Sequence, residues 1–349
     1  MRFTSIAATS VAVQLAAAAP FTFPLANGFP NLNSSALATV YKLAGGTLPN
    51  GPLPTSIKSA GVQTLQILAV NEIFEVAYFT ELLHNITSGV AGYEAGNTDK
   101  IKRTLEAVVN QEQVHAYGLN AILTNAKATP IQPCKYQFPV DNFDDAIALA
   151  QTFTDVVLGV LPVAQTVWAE DAGQETALVK IFGSIIAQEG EQNGFYRYLQ
   201  DKVASAAPLL TGGGPQFAYT AVSQFIVPGS CPNIDVIGIS AFPGLTVETT
   251  PKAENSTQLF SVNGTNVTAT SASVVYISGQ NLPVSVPISN VNVDKTAGKT
   301  YFFAELPYAA GFARGLTIGA LVSGTNHTFA NVSEVAAKTL AGPALIEIE

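Results

Sequence analysis

The stretch Val62–Ser88, VQTLQILAVNEIFEVAYFTELLHNITS, decides the fold. Apolar residues recur in it every three or four positions and it stops at Gly89 and Gly92, so it predicts one long amphipathic helix. Three later segments read the same way, from about Thr98 to Asn125, from Asp144 to about Val167, and from about Gln174 to Ala204. Four helices of roughly 25 residues, each about 37 Å long at 1.5 Å rise per residue, predict a four-helix bundle over 62–204. Short links close the first and second pairs as antiparallel hairpins. The connector between the pairs, KATPIQPCKYQFPVDNF from Lys127, has about 17 residues and at about 3.3 Å each can run the length of the bundle.

Outward from the bundle the texture changes. Residues 20–61, with Pro49, Gly51, Pro52 and Pro54, predict an extended arm, and 205–224 a linker. From 225 to 349, short runs such as SVVYISG, TYFFAEL, LTIGALV and ALIEIE, separated by Gly, Pro and Asn, predict an antiparallel β-sandwich of about seven strands. The fold class is therefore α+β with two domains, which 349 residues accommodate.

Residues 1–19 combine Arg2, a short apolar run and Ala17 to Ala19, which reads as a secretory signal peptide. The expected location is extracellular or in a cell wall, with no membrane span. Seven Asn-x-Ser/Thr sequons, at Asn33, Asn85, Asn255, Asn263, Asn266, Asn326 and Asn331, agree with secretion, and five of them fall after residue 250. The only two cysteines, Cys134 and Cys231, are expected to pair in an oxidising compartment and to tie the two domains together. Net charge is −9 and no basic cluster occurs, so a nucleic-acid partner is not expected. There is no Gly-x-Ser-x-Gly elbow, phosphate-binding glycine loop or paired-cysteine zinc site.

Two of the three histidines follow a glutamate by three residues, in Glu81-x-x-His84 and Glu112-x-x-His115. Residues at i and i+3 share a helix face, so each pair could reach one metal ion. Register separates them. About a turn near Tyr93, Glu75 and Glu112 lie at one height, whereas His84 points about 180° away from Glu75 beside the sequon at Asn85 and reads as a surface residue. About a turn near Ala172, Asp155 and Glu189 match in height. Four carboxylates and His115 then meet at mid-bundle, where a cation, protonation or dense hydrogen bonding must compensate them. Glu72 reads either as a partner orienting His115 or as a flanking polar residue, and Tyr78 as core. Gly190 and Gly194 suggest a close helix approach beside Glu189.

The segments NEIFEVAYFTELL, NQEQVHAYGLNAIL and IIAQEGEQNGFYRYL resemble the ferritin-like domain of plant desiccation-related proteins and of secreted fungal proteins linked to late sexual development and stress response. The resemblance implies a di-metal carboxylate site in which two helices give one Glu each and two give Glu-x-x-His. Glu75, Glu112, His115 and Glu189 match that pattern, while Asp155 stands for a Glu and Gln192 for the second His. An amide is a poor ligand for iron or manganese, so one half-site is intact and the other degraded. The expectation is a secreted, non-enzymatic scaffold holding one iron or manganese ion, or none. The alternatives are a metal-dependent oxidase or peroxide-disposing enzyme, and an adhesion protein whose β-domain binds cell-wall polysaccharide. Oligomeric state stays open.

Overall fold

The computed structural model describes residues 22–170, 176–264 and 267–349, so the signal-peptide segment 1–19 and the sequon at Asn266 lie outside the described residues. The four long helices fall where periodicity places them: α2 (Ser59–Thr87), α3 (Asp99–Asn125), α4 (Phe143–Ala169) and α5 (Thr176–Leu199). Local chemistry sets their starts. Thr98 caps α3 by accepting from the Ile101 amide at 3.2 Å, and Asn142 caps α4 by accepting from the Asp145 amide at 2.9 Å. α2 packs along α3 and α4 along α5, as two hairpins.

The crossover between α3 and α4 lies against the bundle. Its Tyr136 and Phe138 are buried on Phe74 of α2, with ring centroids 6.0 and 5.8 Å away, and Phe153 and Phe225 complete that aromatic knot at 5.1 and 5.3 Å.

Three boundaries differ from the sequence reading. The segment 20–61 is not wholly extended: SSALATVYKLA forms α1 (Ser34–Ala44), capped by Asn33, and packs on α3. The segment 205–224 contains α6 (Pro215–Ser223), whose Pro215 suits the first helical turn and whose Phe217 is buried. Residues 225–244 belong with the bundle, because Gln137 donates to the Phe225 carbonyl and Val227 to the Lys135 carbonyl, both at 2.9 Å. Cys134 and Cys231 are bonded, but for this reason the disulfide fastens the crossover to the segment after α6 and does not tie the bundle to the sandwich.

The sandwich contains eight strands where about seven were expected: β1 (Leu245–Val247), β2 (Ser256–Asn263), β3 (Ala272–Ser278), β4 (Val284–Pro287), β5 (Ser289–Asp294), β6 (Lys299–Leu306), β7 (Gly315–Ser323) and β8 (Thr339–Ile348). A short helix, α7 (Val332–Ala336), joins the last two. The antiparallel sheets run β1-β2-β6-β5 and β4-β3-β7-β8. β6 alternates buried and half-exposed residues, as a strand with one covered face does, whereas every residue of β3 is buried. Val274 and Tyr276 of β3 face the other sheet, while Val275 and Ile277 join the core of the bundle. The second sheet is thus the middle layer of an α/β/β stack.

The contact between the layers is close. A methyl group on Gly159 of α4 would stand 2.0 Å from the Thr211 carbonyl oxygen, so only glycine lets residues 211–213 cross there. α4 is also long and apolar enough to cross a bilayer by length and composition alone, although no membrane span was expected. Its apolar residues are instead buried against the other helices and β7.

Candidate metal centre

α2 carries Glu72 and Glu75 one turn apart, α3 carries Glu112 and His115, and α5 carries Glu189. All four carboxylates are fully buried. One ligand atom from each of Glu72, Glu112, His115 and Glu189 lies within 4.8 Å of the others. His115 Nδ1 is the hub, 2.9 Å from Glu112 Oε2, 3.2 Å from Glu72 Oε2 and 3.7 Å from Glu189 Oε1. The imidazole is the one member that touches solvent, with 11% of its side chain exposed.

Charge on this cluster is poorly compensated. Among the described residues, neither oxygen of Glu75 or Glu189, nor Oε1 of Glu72, has a hydrogen-bond partner. Asn71 lies beside Glu75 with its amide outside hydrogen-bonding geometry. Burial, then repulsion from Glu112, raises both Glu75 and Glu189 well above the ordinary carboxylate range. Burial pushes Glu72 up to about 7 against the opposing pull of His115. Burial also disfavours a charged His115, but Glu112 and Glu72 outweigh it and hold the imidazole well above its usual pKa.

Oxygen and imidazole donors of this kind suit iron or manganese, and unpartnered buried carboxylate oxygens are what a divalent cation would satisfy. The residues therefore fit such an ion, with Glu72, Glu112, His115 and Glu189 holding it. Glu72 belongs to this cluster itself. Its sequence signal was its place three residues before Glu75, on the same helix face.

Of the expected ligands, Glu75, Asp155 and Gln192 fall outside that group of four. Asp155 is not in the cluster: its Oδ1 accepts from Asn193 Nδ2 at 2.7 Å and its Oδ2 from Gln151 Nε2 at 3.4 Å. Gln151 also donates to Glu347 of β8 at 2.9 Å, and buried Arg197 donates to Glu349 at 2.7 Å. Matching heights about Ala172 left azimuth undetermined, and Asp155 faces the polar seam between bundle and sandwich. Gln192 does stand beside the cluster but as a donor, with Nε2 2.6 Å from Glu112 Oε1.

Tyr196, one turn beyond Gln192, is the aromatic neighbour of the site, donating to Gln192 Oε1 at 3.3 Å. Tyr78 instead turns away and donates to the Ala146 carbonyl at 2.5 Å. His84 is exposed, as read, and His327 bonds the Ser323 carbonyl at 2.9 Å. Among the described residues Gly190 meets nothing within 4 Å and Gly194 meets the Ala204 carbonyl oxygen at 3.4 Å, so neither is the point of close helix approach expected beside Glu189.

Residues 60–202 match the model of the ferritin-like domain family. The chain thus carries a ferritin-like domain, with the carboxylate and histidine cluster at its centre, followed by the two antiparallel sheets. No curated protein matches the chain.

Proposed function

We propose that this is a secreted scaffold protein whose ferritin-like bundle binds a divalent iron or manganese ion through Glu72, Glu112, His115 and Glu189. One observation carries the reading: the fully buried carboxylates of Glu72, Glu112 and Glu189 converge on His115 Nδ1, while Oε1 of Glu72 and both oxygens of Glu189 have no hydrogen-bond partner among the described residues. When bound, the ion supplies Lewis acidity and one-electron redox capacity. The chain's own Gln192 amide orients Glu112, and Tyr196, which donates to Gln192, stacks on Phe79 at 5.7 Å.

Secretion is supported by the N-terminal sequence, the Cys134–Cys231 bond and the sequons, of which Asn33, Asn255, Asn263, Asn326 and Asn331 are exposed and Asn85 is half-buried. A role in fungal development or stress response follows the resemblance of the bundle segments. The competing oxidase or peroxide reading finds a specific observation in Tyr196, a buried phenol beside the carboxylates. Metal analysis of the purified full chain, with peroxide and ferrous-iron turnover, tests both. Bound metal lost in Glu112→Ala without turnover above the free ion supports the scaffold, turnover supports the enzyme, and no bound metal removes both.

A further inference from the structure

We infer that the bundle holds one ion and not two, because the Gln192 amide and its hydrogen bonds fill the position where a second ion would sit. The inference rests on the metal-binding reading above and concerns its stoichiometry. In the two-ion helix arrangement, each of two helices gives Glu-x-x-His, and the glutamates can bridge the ions. On α5 the histidine position is Gln192, three residues after Glu189.

The amide is committed on both sides. Nε2 approaches Glu112 Oε1 at 2.6 Å and Gln111 Oε1 at 3.3 Å, while Oε1 accepts from the Tyr196 hydroxyl at 3.3 Å. An amide nitrogen offers only hydrogens, so it repels a cation from the place it occupies. Glu112 is divided as a result, with Oε2 turned to His115 at 2.9 Å and Oε1 held by the amide. A bridging carboxylate needs both oxygens on metal, and here one already accepts a hydrogen bond.

The fourth helix does not supply the missing ligand. Asp155 is engaged by Asn193 at 2.7 Å and lies within the seam that includes Gln151 and Glu347. Among the described residues of the cluster, a second ion could draw on the unpartnered oxygens of Glu72, Glu75 and Glu189, with no second imidazole.

The full-length protein loaded with Mn²⁺ and freed of excess ion decides the matter, by metal content per chain and by electron paramagnetic resonance. The expected result is one equivalent with the spectrum of an isolated ion, and two equivalents with an exchange-coupled spectrum in Gln192→His. Gln192→Glu, close in shape to the native side chain, serves as a second variant and should likewise gain an equivalent. Two coupled ions in the native protein would overturn the inference while leaving metal binding intact. A single ion in both variants, each with native circular dichroism, would overturn the role given to Gln192. Absence of bound metal in the native protein would remove the metal-binding reading and this inference with it.

Discussion

Asn193 Nδ2 donates to Asp155 Oδ1 at 2.7 Å, and this bond between α5 and α4 separates two buried polar systems. On one side, α2, α3 and α5 supply the carboxylate and imidazole cluster. On the other, Gln151, Asp155, Arg197, Glu347 and Glu349 form a seam between bundle and sandwich. The cluster therefore draws its carboxylates and imidazole from three helices instead of four.

Mn²⁺ or Fe²⁺ should stabilise the protein, by about 2.7 kcal/mol when free metal is a hundredfold above Kd, and Glu189→Ala should abolish the effect. Binding must displace protons from Glu72, held at about 7, and from Glu189, held well above the ordinary range. Affinity should accordingly rise with pH from 5 to 8. Calorimetric titrations at several pH values check this, and a pH-independent Kd would contradict it.

The seam gives the metal-free protein a stability that favours acid. Burial raises Asp155 from 3.8 to about 6 and raises Glu347 well above its ordinary value. A carboxylate that binds its proton more tightly when folded stabilises the fold below its unfolded pKa, and that contribution is lost as pH rises through the folded value. For Asp155 this is on the order of 3 kcal/mol between about pH 4 and 6 and above. Tm measured in chelator should fall from pH 5 to 8, and Glu347→Gln, which keeps an acceptor for Gln151, should reduce the slope. An unchanged slope would remove Glu347 from the account.

Removing the disulfide with Cys134→Ser and Cys231→Ser opens a loop whose ends are 97 residues apart in sequence. The chain-entropy model sets the cost at about 4 to 5 kcal/mol. Hydrogen exchange should rise first near residues 130–138 and 225–233, where crossover and following segment pair, and not between the two sheets. Uniform loosening of the sandwich would show that the bond acts elsewhere.

Two glycines should respond in opposite directions to alanine. Gly159→Ala places a methyl group 2.0 Å from the Thr211 oxygen and should cost about 1 to 3 kcal/mol or more as the linker is displaced. Gly190→Ala points into open space on α5 and should stabilise by up to about 1 kcal/mol through helix propensity. Chemical denaturation of both variants checks the contrast, and equal effects would contradict the contacts described for Gly159.

Sequence alone determined the parts governed by local repetition. The 3.6-residue period located α2 to α5, the proline-rich connector marked the crossover, and two Glu-x-x-His pairs at different register separated His115, in the cluster, from exposed His84. Short amphipathic pieces such as α1 and α6 escaped because a few turns give little periodic signal among prolines and glycines.

Tertiary structure decided how equal heights translate into contacts. Counting residues from a turn fixes position along a helix but not rotation about its axis. Glu72 consequently reaches His115, Asp155 turns to Asn193, and Gln192 presents its hydrogens to Glu112. The packing of sheet and bundle settles those rotations by burying Val275 and Ile277 against helices they do not adjoin in sequence. Burial then makes the difference between a ligand, an interface carboxylate and a hydrogen-bond donor, because each group must find its partner within the geometry the packed core allows.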